Sequence, residues 1–313
     1  MGLAMGIENV FSWSKSRDGQ FRECRRKYFY DKYASWGGWD AGAPKETRMA
    51  YVLKNLKNRW AWKGETVHHV IEDVLKAVRA GRPLSLEEAI ARLTETMRRD
   101  FRSSKAKSYY EDPKNRMGLF EHEYEKPVSD STWKKLHESA AECLRNFYGS
   151  AVYRELLEDD KRSWLVIEDL EEFDFDGAKI FVKLDFARRR DGFVEIFDWK
   201  TGKADVDAAS LQMGIYALYA MKKWGVDLSR LRGFLLSLGN GSPALLECPL
   251  TDETIEGAKR SMAASIESMR GLLLDPSKNV PKPREEFRFT DNTRLCDFCN
   301  FYRICEKYQT PLK

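Results

Sequence analysis

The chain has 313 residues, a length that suits one large domain or two ordinary ones. Hydrophobic residues make up 42% of it, enough to form a core. Its 53 basic and 49 acidic side chains leave a net charge of +4, which is too small to indicate the type of binding partner. No apolar run approaches the roughly 18 residues of a membrane span, and the N-terminus lacks the apolar core of a signal peptide. Six cysteines in so long a chain do not suggest a disulfide scaffold, so we expect a cytoplasmic protein without membrane contacts.

The first half of the chain is predicted to be mostly helical. Residues 12–36 mix basic and aromatic side chains before a glycine-rich break. A long helix is predicted from about Trp60 to Ala80, where a glycine and a proline end it. Ser85 is the predicted N-cap of the next helix, with Glu88 as its capping-box partner. A further helix is predicted over about Ser131–Leu157.

The second half of the chain changes to the two-residue period of strands, which predicts an α/β fold. The predicted strands are Trp164–Phe175, Lys179–Ala187, Phe193–Lys200 and Arg232–Leu238. Helices are predicted over about Val206–Trp224 and from the N-cap Thr251 to about Leu274. A proline-rich link then leads to the terminal cysteines.

A hairpin turn at residues 191–192 sets the predicted register of two strands. Asp-Gly is a typical two-residue hairpin turn, so Arg190 is expected to pair with Phe193. Counting back from this pair places Asp185 directly opposite Asp198. Directly opposite residues share a sheet face with Cβ atoms roughly 4.5–5.5 Å apart. Two carboxylates at that spacing repel each other unless a cation lies between them.

The same count places Lys183 opposite Lys200. Because side chains alternate along a strand, Lys200 lies on the same sheet face as Asp198, and Trp199 lies on the opposite face. The pattern therefore predicts two acids and a lysine on one surface. Hard cations prefer oxygen ligands, so this surface is a candidate Mg²⁺ or Mn²⁺ site. The alternative is an ordinary solvated face of an antiparallel sheet.

Two helices carry further candidate site residues. In the first, His68 lies at the border of the buried stripe, whereas His69 is predicted to be solvated; a structural histidine is the alternative for His68. In the later helix, Gln212 and Tyr216 are four residues apart and hence on one face. They are suited to position a phosphate, a water molecule or Lys200, unless they only belong to a half-buried amphipathic helix.

Four cysteines form a candidate metal site. The chain ends in Cys296-x2-Cys299-x5-Cys305, and Cys24 lies far upstream. Four thiolates suit either Zn²⁺ or an iron–sulfur cluster. Structural zinc usually takes two close pairs, so this arrangement of one plus three favours a 4Fe–4S cluster.

Taken together, these motifs resemble the PD-(D/E)XK nuclease superfamily, specifically its RecB/AddB-like iron–sulfur group, which includes the CRISPR-adaptation exonucleases. The matching segments, in chain order, are Gly64–Glu72 for the Gly-x3-His-x3-Glu helix, Asp185 for the first metal acid, Asp198-Trp199-Lys200 for (D/E)-x-K, Gln212-x3-Tyr216 for Gln-x3-Tyr, and the four cysteines for the split cluster. One departure is Val182, where these proteins often carry glycine. Residues of about 85–160 match no motif of the group.

The resemblance implies a restriction-endonuclease-like core, in which helices flank a mixed central sheet. It implies a single nuclease domain over residues 1–313, interrupted by a helical insertion at 85–160. Residues 276–313 and Cys24 would form the cluster region, in which the bound cluster would connect the two ends of the chain.

The resemblance also implies Mg²⁺- or Mn²⁺-dependent hydrolysis of DNA, as an exonuclease or end-processing enzyme that prefers single strands. The implied metal ligands are His68, Asp185, Asp198 and the Trp199 carbonyl. Lys200 would orient the attacking water and stabilise charge on the phosphate, assisted by Gln212 and Tyr216. The implied substrate is single-stranded DNA or duplex ends. Basic residues near 15–32 and 98–116, with interleaved aromatic residues, are candidates for lining a channel that holds a single strand; a solvated basic surface is the alternative.

The sequence does not distinguish among three pathways in which such a nuclease acts: DNA repair or recombination, CRISPR adaptation and phage-related processing. One alternative function is a catalytically weak, cluster-bearing DNA-binding subunit of a helicase–nuclease complex. The chain has no Walker-type phosphate loop, so a helicase motor would be a separate partner. A zinc-bound structural protein is a third alternative, and it leaves Asp185, Asp198 and Lys200 unexplained.

Overall fold

A computed structural model describes residues 8–239 and 241–309; residues 1–7, part of the stretch in which no signal peptide is expected, lie outside these ranges. The helices are α1 (Lys15–Glu23), α2 (Arg25–Phe29), α3 (Lys45–Lys54), α4 (Arg59–Arg79), α5 (Leu86–Lys105), α6 (Phe120–Glu123), α7 (Asp130–Gly149), α8 (Ala151–Glu158), α9 (Val206–Trp224), α10 (Asp252–Arg270) and α11 (Glu306–Gln309). The strands are β1 (Ser12–Trp13), β2 (Trp164–Ile167), β3 (Leu170–Phe175), β4 (Ala178–Lys183), β5 (Phe186–Arg190), β6 (Phe193–Lys200), β7 (Leu231–Ser237), β8 (Ala244–Cys248), β9 (Leu273–Asp275) and β10 (Val280–Pro281).

The chain divides into two compact units. Unit 1 comprises Met1–Asn55, Phe173–Phe181 and Met262–Lys313, and unit 2 comprises Leu56–Glu172 and Val182–Ser261. None of the described helices is both long enough and apolar enough to cross a membrane.

Unit 2 is built on a five-stranded sheet in the order β2-β5-β6-β7-β8. Strands β6 and β7 are parallel and the other neighbours are antiparallel, so the predicted mixed α/β architecture is confirmed. One face of β6 contributes Phe197 and Trp199 to the hydrophobic core. The buried stripe of α4, which includes Val67, Ile71 and Val74, belongs to the same core.

Local sequence signals in unit 2 produce the predicted elements. The capping box of Ser85 and Glu88 is present at the start of α5. Helix α9 ends where Gly225 adopts a left-handed φ of 61°, a conformation that favours glycine. The turn at residues 191–192 has positive φ at both positions and pairs Arg190 with Phe193, as predicted.

The predicted strand over residues 179–187 is wrong, because the structure divides it into β4 and β5. The break falls at residues 184–185, and the ladder between β5 and β6 ends at the pair Phe186 and Phe197. Asp185 therefore lies just beyond the ladder instead of pairing with Asp198. Lys183 belongs to β4, in the sheet β1-β4-β3, so its predicted pairing with Lys200 is also wrong.

Three other predicted elements differ from the structure. The strand predicted over residues 164–175 breaks before β3 at Glu168, which has a φ of 55°. The helix predicted to end at Leu157 is interrupted at Ser150, whose side chain caps α8. Helix α10 ends at Arg270, and the apolar residues that follow it form β9 instead of another helical turn.

Helices α5, α7 and α8, within residues 85–160, are not isolated from the rest of unit 2. Their buried side chains, including Leu93, Leu144 and Leu156, belong to the hydrophobic cluster that contains Trp199. This helical segment therefore shares the core of the sheet that carries the candidate catalytic residues.

Unit 1 contains a short parallel pairing between Ser12 of β1 and Lys179 of β4, and a β9–β10 hairpin. Ser265 of α10 accepts a hydrogen bond from the Trp13 indole at 2.9 Å and donates one to the buried carboxylate of Asp18 at 2.6 Å. These bonds join the N-terminal and C-terminal segments of this unit.

Candidate active site

Four elements of unit 2 bring the candidate catalytic residues together. Helix α4 supplies His68, the bend before β5 supplies Asp185, β6 supplies residues 198–200, and α9 supplies Gln212 and Tyr216. Helix α4 packs closely against the end of β6, since a Cβ on Gly64 would lie 3.3 Å from the hydroxyl of Thr201, directly after Lys200.

His68 is held between two acids and a backbone carbonyl. Its Nδ1 lies 2.8 Å from Oε1 of Glu168 and 3.4 Å from Oδ1 of Asp185, and its Nε2 lies 3.1 Å from the Trp199 carbonyl oxygen. Burial lowers the pKa of His68, but Asp185 and Glu168 outweigh this effect and hold the pKa well above its ordinary value. The two acids therefore favour the protonated imidazole, which would release a proton on binding a cation.

Asp198 and Asp185 form a buried acidic pair. Burial and the neighbouring Asp185 raise the pKa of Asp198 to about 7, against the opposing effect of Lys200. The ammonium of Lys200 lies 2.6 Å from Oδ2 of Asp198. Oδ2 of Asp185 accepts a hydrogen bond from the Trp199 backbone N–H at 2.6 Å. Although the direct cross-strand pair is absent, the two carboxylates are close enough to repel each other.

Gln212 and Tyr216 link this acidic pair to Lys200 and to β4. The Gln212 amide donates to Oδ1 of Asp198 at 3.0 Å and to the Tyr216 hydroxyl at 2.6 Å, while its oxygen accepts from Lys200 at 3.3 Å. The Tyr216 hydroxyl donates to the Lys183 carbonyl at 2.6 Å. The two side chains thus fix the orientation of Lys200 relative to Asp198.

Glu168 is a member of this site that the sequence did not reveal. Its side chain is 1% exposed, and its Oε2 lies 2.8 Å from the ammonium of Lys183. In the sequence, Glu168 is marked only as an acid that directly follows the apolar run at residues 164–167. Such an acid indicates a break in the strand, but it does not identify His68 as the neighbour.

The donor set fits a divalent cation. One ligand atom from each of His68, Glu168 and Asp185 lies within 4.8 Å of the others. Oε2 of Glu168 and Oδ2 of Asp198 are buried, and each lies next to a lysine ammonium, at 2.8 Å and 2.6 Å respectively. Carboxylate oxygens with one imidazole suit Mg²⁺ or Mn²⁺. The Trp199 carbonyl and Asp198 adjoin the same group.

The four predicted cluster cysteines meet in unit 1. Cys24, at the junction of α1 and α2, lines one small cavity with Cys296, Cys299 and Cys305. Burial raises the pKa of Cys299 to about 11, so this thiol is protonated at neutral pH. Metal binding to such thiols requires the release of protons.

The cavity wall around these cysteines is mostly apolar and aromatic, with Tyr30, Leu295 and Phe301 among its residues. Cys143 and Cys248, which the structure places outside this cavity, are buried in unit 2, as expected for core thiols.

The sequence of this chain matches the family model of the PD-(D/E)XK nuclease superfamily over residues 12–306. Among solved structures, a candidate exonuclease from Eubacterium rectale is 12% identical, with a TM-score of 0.36, and the match covers 77% of this chain and 90% of that one. The structure of SSO0001 is 16% identical, with a TM-score of 0.30, and covers 61% of this chain and 93% of that one. No curated protein matches. Because the family match spans most of its length, the chain belongs to the PD-(D/E)XK nuclease superfamily.

Proposed function

We propose that this protein is a Mg²⁺- or Mn²⁺-dependent deoxyribonuclease. The observation that carries the proposal is the convergence of His68, Asp185, Asp198 and Lys200 on one buried polar cluster in a chain of this superfamily. Members of the superfamily generally use divalent metals. The proposed ligands are His68, Asp185, Asp198 and the Trp199 carbonyl. Glu168 is added because one of its oxygens lies within 4.8 Å of ligand atoms of His68 and Asp185.

The residues of the chain have distinct proposed roles. A divalent ion, when bound, would supply charge stabilisation at the phosphate and make a nucleophile available at neutral pH. Lys200 orients the attacking water and offsets the charge that develops on the phosphate oxygens. Gln212 and Tyr216 restrain Lys200 and Asp198 through their hydrogen bonds. Glu168 orients the His68 ring through Nδ1.

We further propose a 4Fe–4S cluster on Cys24, Cys296, Cys299 and Cys305. Structural zinc usually takes two close pairs of cysteines, whereas here one distant cysteine joins a group of three. All four cysteines line one small cavity whose surface is largely apolar. This split arrangement and the apolar cavity support an iron–sulfur cluster over zinc.

The proposed substrate is DNA, with cleavage at single strands or duplex ends in an exonucleolytic or end-processing mode. An apolar groove in unit 2 supports single-strand binding, because the partly exposed rings of Phe101 and Trp133 line it together with Arg98 and Arg102. Aromatic rings stack on bases while basic side chains contact the backbone.

The proposed setting is a cytoplasmic protein of DNA repair or recombination, CRISPR adaptation or phage-related processing, with a helicase as a candidate partner. We propose that both units belong to one nuclease domain over residues 1–313, in which 85–160 is a helical insertion and 276–313 with Cys24 is the cluster region. The match over residues 12–306 supports one domain, since it includes segments of both units.

The test uses the full-length protein, purified anaerobically with its metal content measured. End-labelled single-stranded, blunt duplex and overhang DNA are incubated with Mg²⁺, Mn²⁺ or EDTA. We expect metal-dependent cleavage by the wild-type protein and none by Asp198→Asn. If the metal-loaded wild-type protein cuts none of these DNA forms, the nuclease proposal fails and a catalytically weak DNA-binding subunit replaces it.

A further inference from the structure

A polar cavity in unit 1 has no role in the proposed reaction. Its volume is about 340 Å³, within the roughly 300–1,000 Å³ of small-ligand sites. None of the candidate catalytic residues lines this cavity. Four basic side chains line it, from α1, the turn after α2, α3 and β4: Arg17, Lys32, Lys54 and Lys179.

The charge of this cavity is positive. Asp31 and Glu8 are the acids in its lining, so four cations and two acids leave a formal net charge of +2. Asp31 is already engaged, since Oδ1 lies 2.8 Å from the Lys32 ammonium and Oδ2 accepts from Gln20 at 2.8 Å. Lys32 and Lys54 hold the pKa of Asp31 below its ordinary value despite burial, so this acid stays ionised.

The cations are held in place and partly removed from water. The guanidinium of Arg17 contacts the Ser12 hydroxyl and lies 5.4 Å from the Phe181 ring centre. The Lys54 ammonium donates to the Asp31 carbonyl oxygen at 3.3 Å. Burial lowers the pKa of Lys54; Asp31 opposes this change, and Arg17 adds to it. An anion in the cavity would relieve this repulsion.

Aromatic and amide groups complete the wall. Tyr33 donates to the side-chain oxygen of Asn279 at 3.3 Å, and Asn279 donates to Asn9 at 3.1 Å. Trp36 and Phe181 add ring surfaces to the same lining. Cations beside aromatic rings are suited to a ligand that joins an anionic group to a flat base.

We propose that this cavity binds the phosphate monoester group of a nucleotide. A monoester carries about −1.5 to −2 charges at pH 7, which matches the +2 charge of the lining. An internal phosphodiester carries a single negative charge and leaves the cavity positive. The group can come from a free nucleoside monophosphate or from a phosphorylated strand end. The inference does not depend on the proposed nuclease activity.

The test measures binding to the full-length, cluster-loaded protein in EDTA, where metal-dependent contacts and cleavage are absent. Calorimetry and thermal shift compare thymidine monophosphate with thymidine, inorganic phosphate, and a dithymidine dinucleotide with and without a 5′-phosphate. We expect the monophosphate to bind and raise the melting temperature, thymidine to do neither, and inorganic phosphate to bind more weakly.

The dinucleotide identifies the source of the phosphate. We expect the 5′-phosphorylated form to bind more tightly than the unphosphorylated form if strand ends are accepted. If neither form binds while the monophosphate does, the ligand is a free nucleotide; both results support the monoester cavity.

The decisive variant is Lys54→Met, which keeps the aliphatic stem and removes the charge. Loss of one charge-assisted hydrogen bond should weaken monophosphate binding by about tenfold to a hundredfold. Lys179→Met is a second variant in case the first does not fold, and Lys45→Ala, at an exposed position outside the lining, is the control. Absence of binding at millimolar monophosphate, equal binding by thymidine or inorganic phosphate, or unchanged affinity in both methionine variants would overturn the proposal.

Discussion

Asp185 accepts a hydrogen bond from the backbone N–H of Trp199 at an N–O distance of 2.6 Å. The bond replaces the ladder pairing that ends at Phe186 and Phe197, and it leaves Oδ1 of Asp185 3.4 Å from Nδ1 of His68. A side chain thus joins the start of β5 to the end of β6. The position of the Asp185 carboxylate therefore depends on the backbone of β6.

Asp185→Asn should abolish metal-dependent cleavage while the fold is preserved. The asparagine oxygen can still accept from the Trp199 N–H, but the negative charge for a divalent ion is lost. The melting temperature should change little, because lost attraction to His68 is offset by relief of repulsion with Asp198. Cleavage of labelled single-stranded DNA in Mn²⁺ measures the effect, with the exposed Asp207→Asn as the control. Wild-type rates in Asp185→Asn would remove this residue from the site.

Lys200→Met should reduce the cleavage rate by about 10²–10³, the usual cost of removing one preorganised charge at the reacting group. DNA affinity in EDTA should be almost unchanged, since DNA binding uses many basic side chains. Single-turnover rates and filter binding separate the two effects. Lys203→Met, three residues further on, is the matched control. Equal losses in both variants would show that the effect is not specific to Lys200.

Gln212→Ala should reduce the cleavage rate by about tenfold to a hundredfold, because it breaks hydrogen bonds to charged Asp198 and Lys200 together. Tyr216→Phe removes only the hydroxyl that joins Gln212 to the Lys183 carbonyl, so its loss should be smaller. A larger loss in Tyr216→Phe than in Gln212→Ala would contradict this order of importance.

Glu168→Gln should weaken Mn²⁺ binding by about 10–100-fold, since it removes a carboxylate that contacts His68. Calorimetry with Mn²⁺ and the metal concentration for half-maximal cleavage give two independent measures. Glu158→Gln neutralises an exposed acid in the same unit and serves as the control. Unchanged Mn²⁺ affinity would mean that Glu168 has no part in holding the metal.

Cys24→Ala should remove the proposed cluster, so that anaerobically purified protein falls from about four irons per chain to almost none and loses the expected brown colour. Its stability should also fall, because the ligand that joins α1 and α2 to the C-terminal cysteines is missing. Cys248→Ala removes a thiol outside the cavity and should keep its iron. Zinc in place of iron in oxygen-free wild-type protein would refute the cluster assignment.

Short-range rules were sufficient for much of unit 2. The capping box of Ser85 and Glu88, the turn at residues 191–192 and the end of α9 at Gly225 depend on a few adjacent residues, and all were predictable. The alternation that separates Asp198 from Trp199 on β6 is equally local, because successive strand residues point to opposite faces.

Only the tertiary structure determined which distant groups meet. Glu168 and His68 are 100 positions apart, and their contact depends on a strand break at Glu168, whose φ is 55°. Because the predicted strand is divided at residues 184–185, Lys183 belongs to β4. It forms an ion pair with Glu168 instead of lying opposite Lys200. The sequence by itself thus identified His68, Asp198, Lys200, Gln212 and Tyr216 as candidates, together with the strand and the helices that carry them, but it missed Glu168 and the strand break at Asp185. Long-range packing and the pairing of buried charges decided its geometry, because neither is encoded in neighbouring residues.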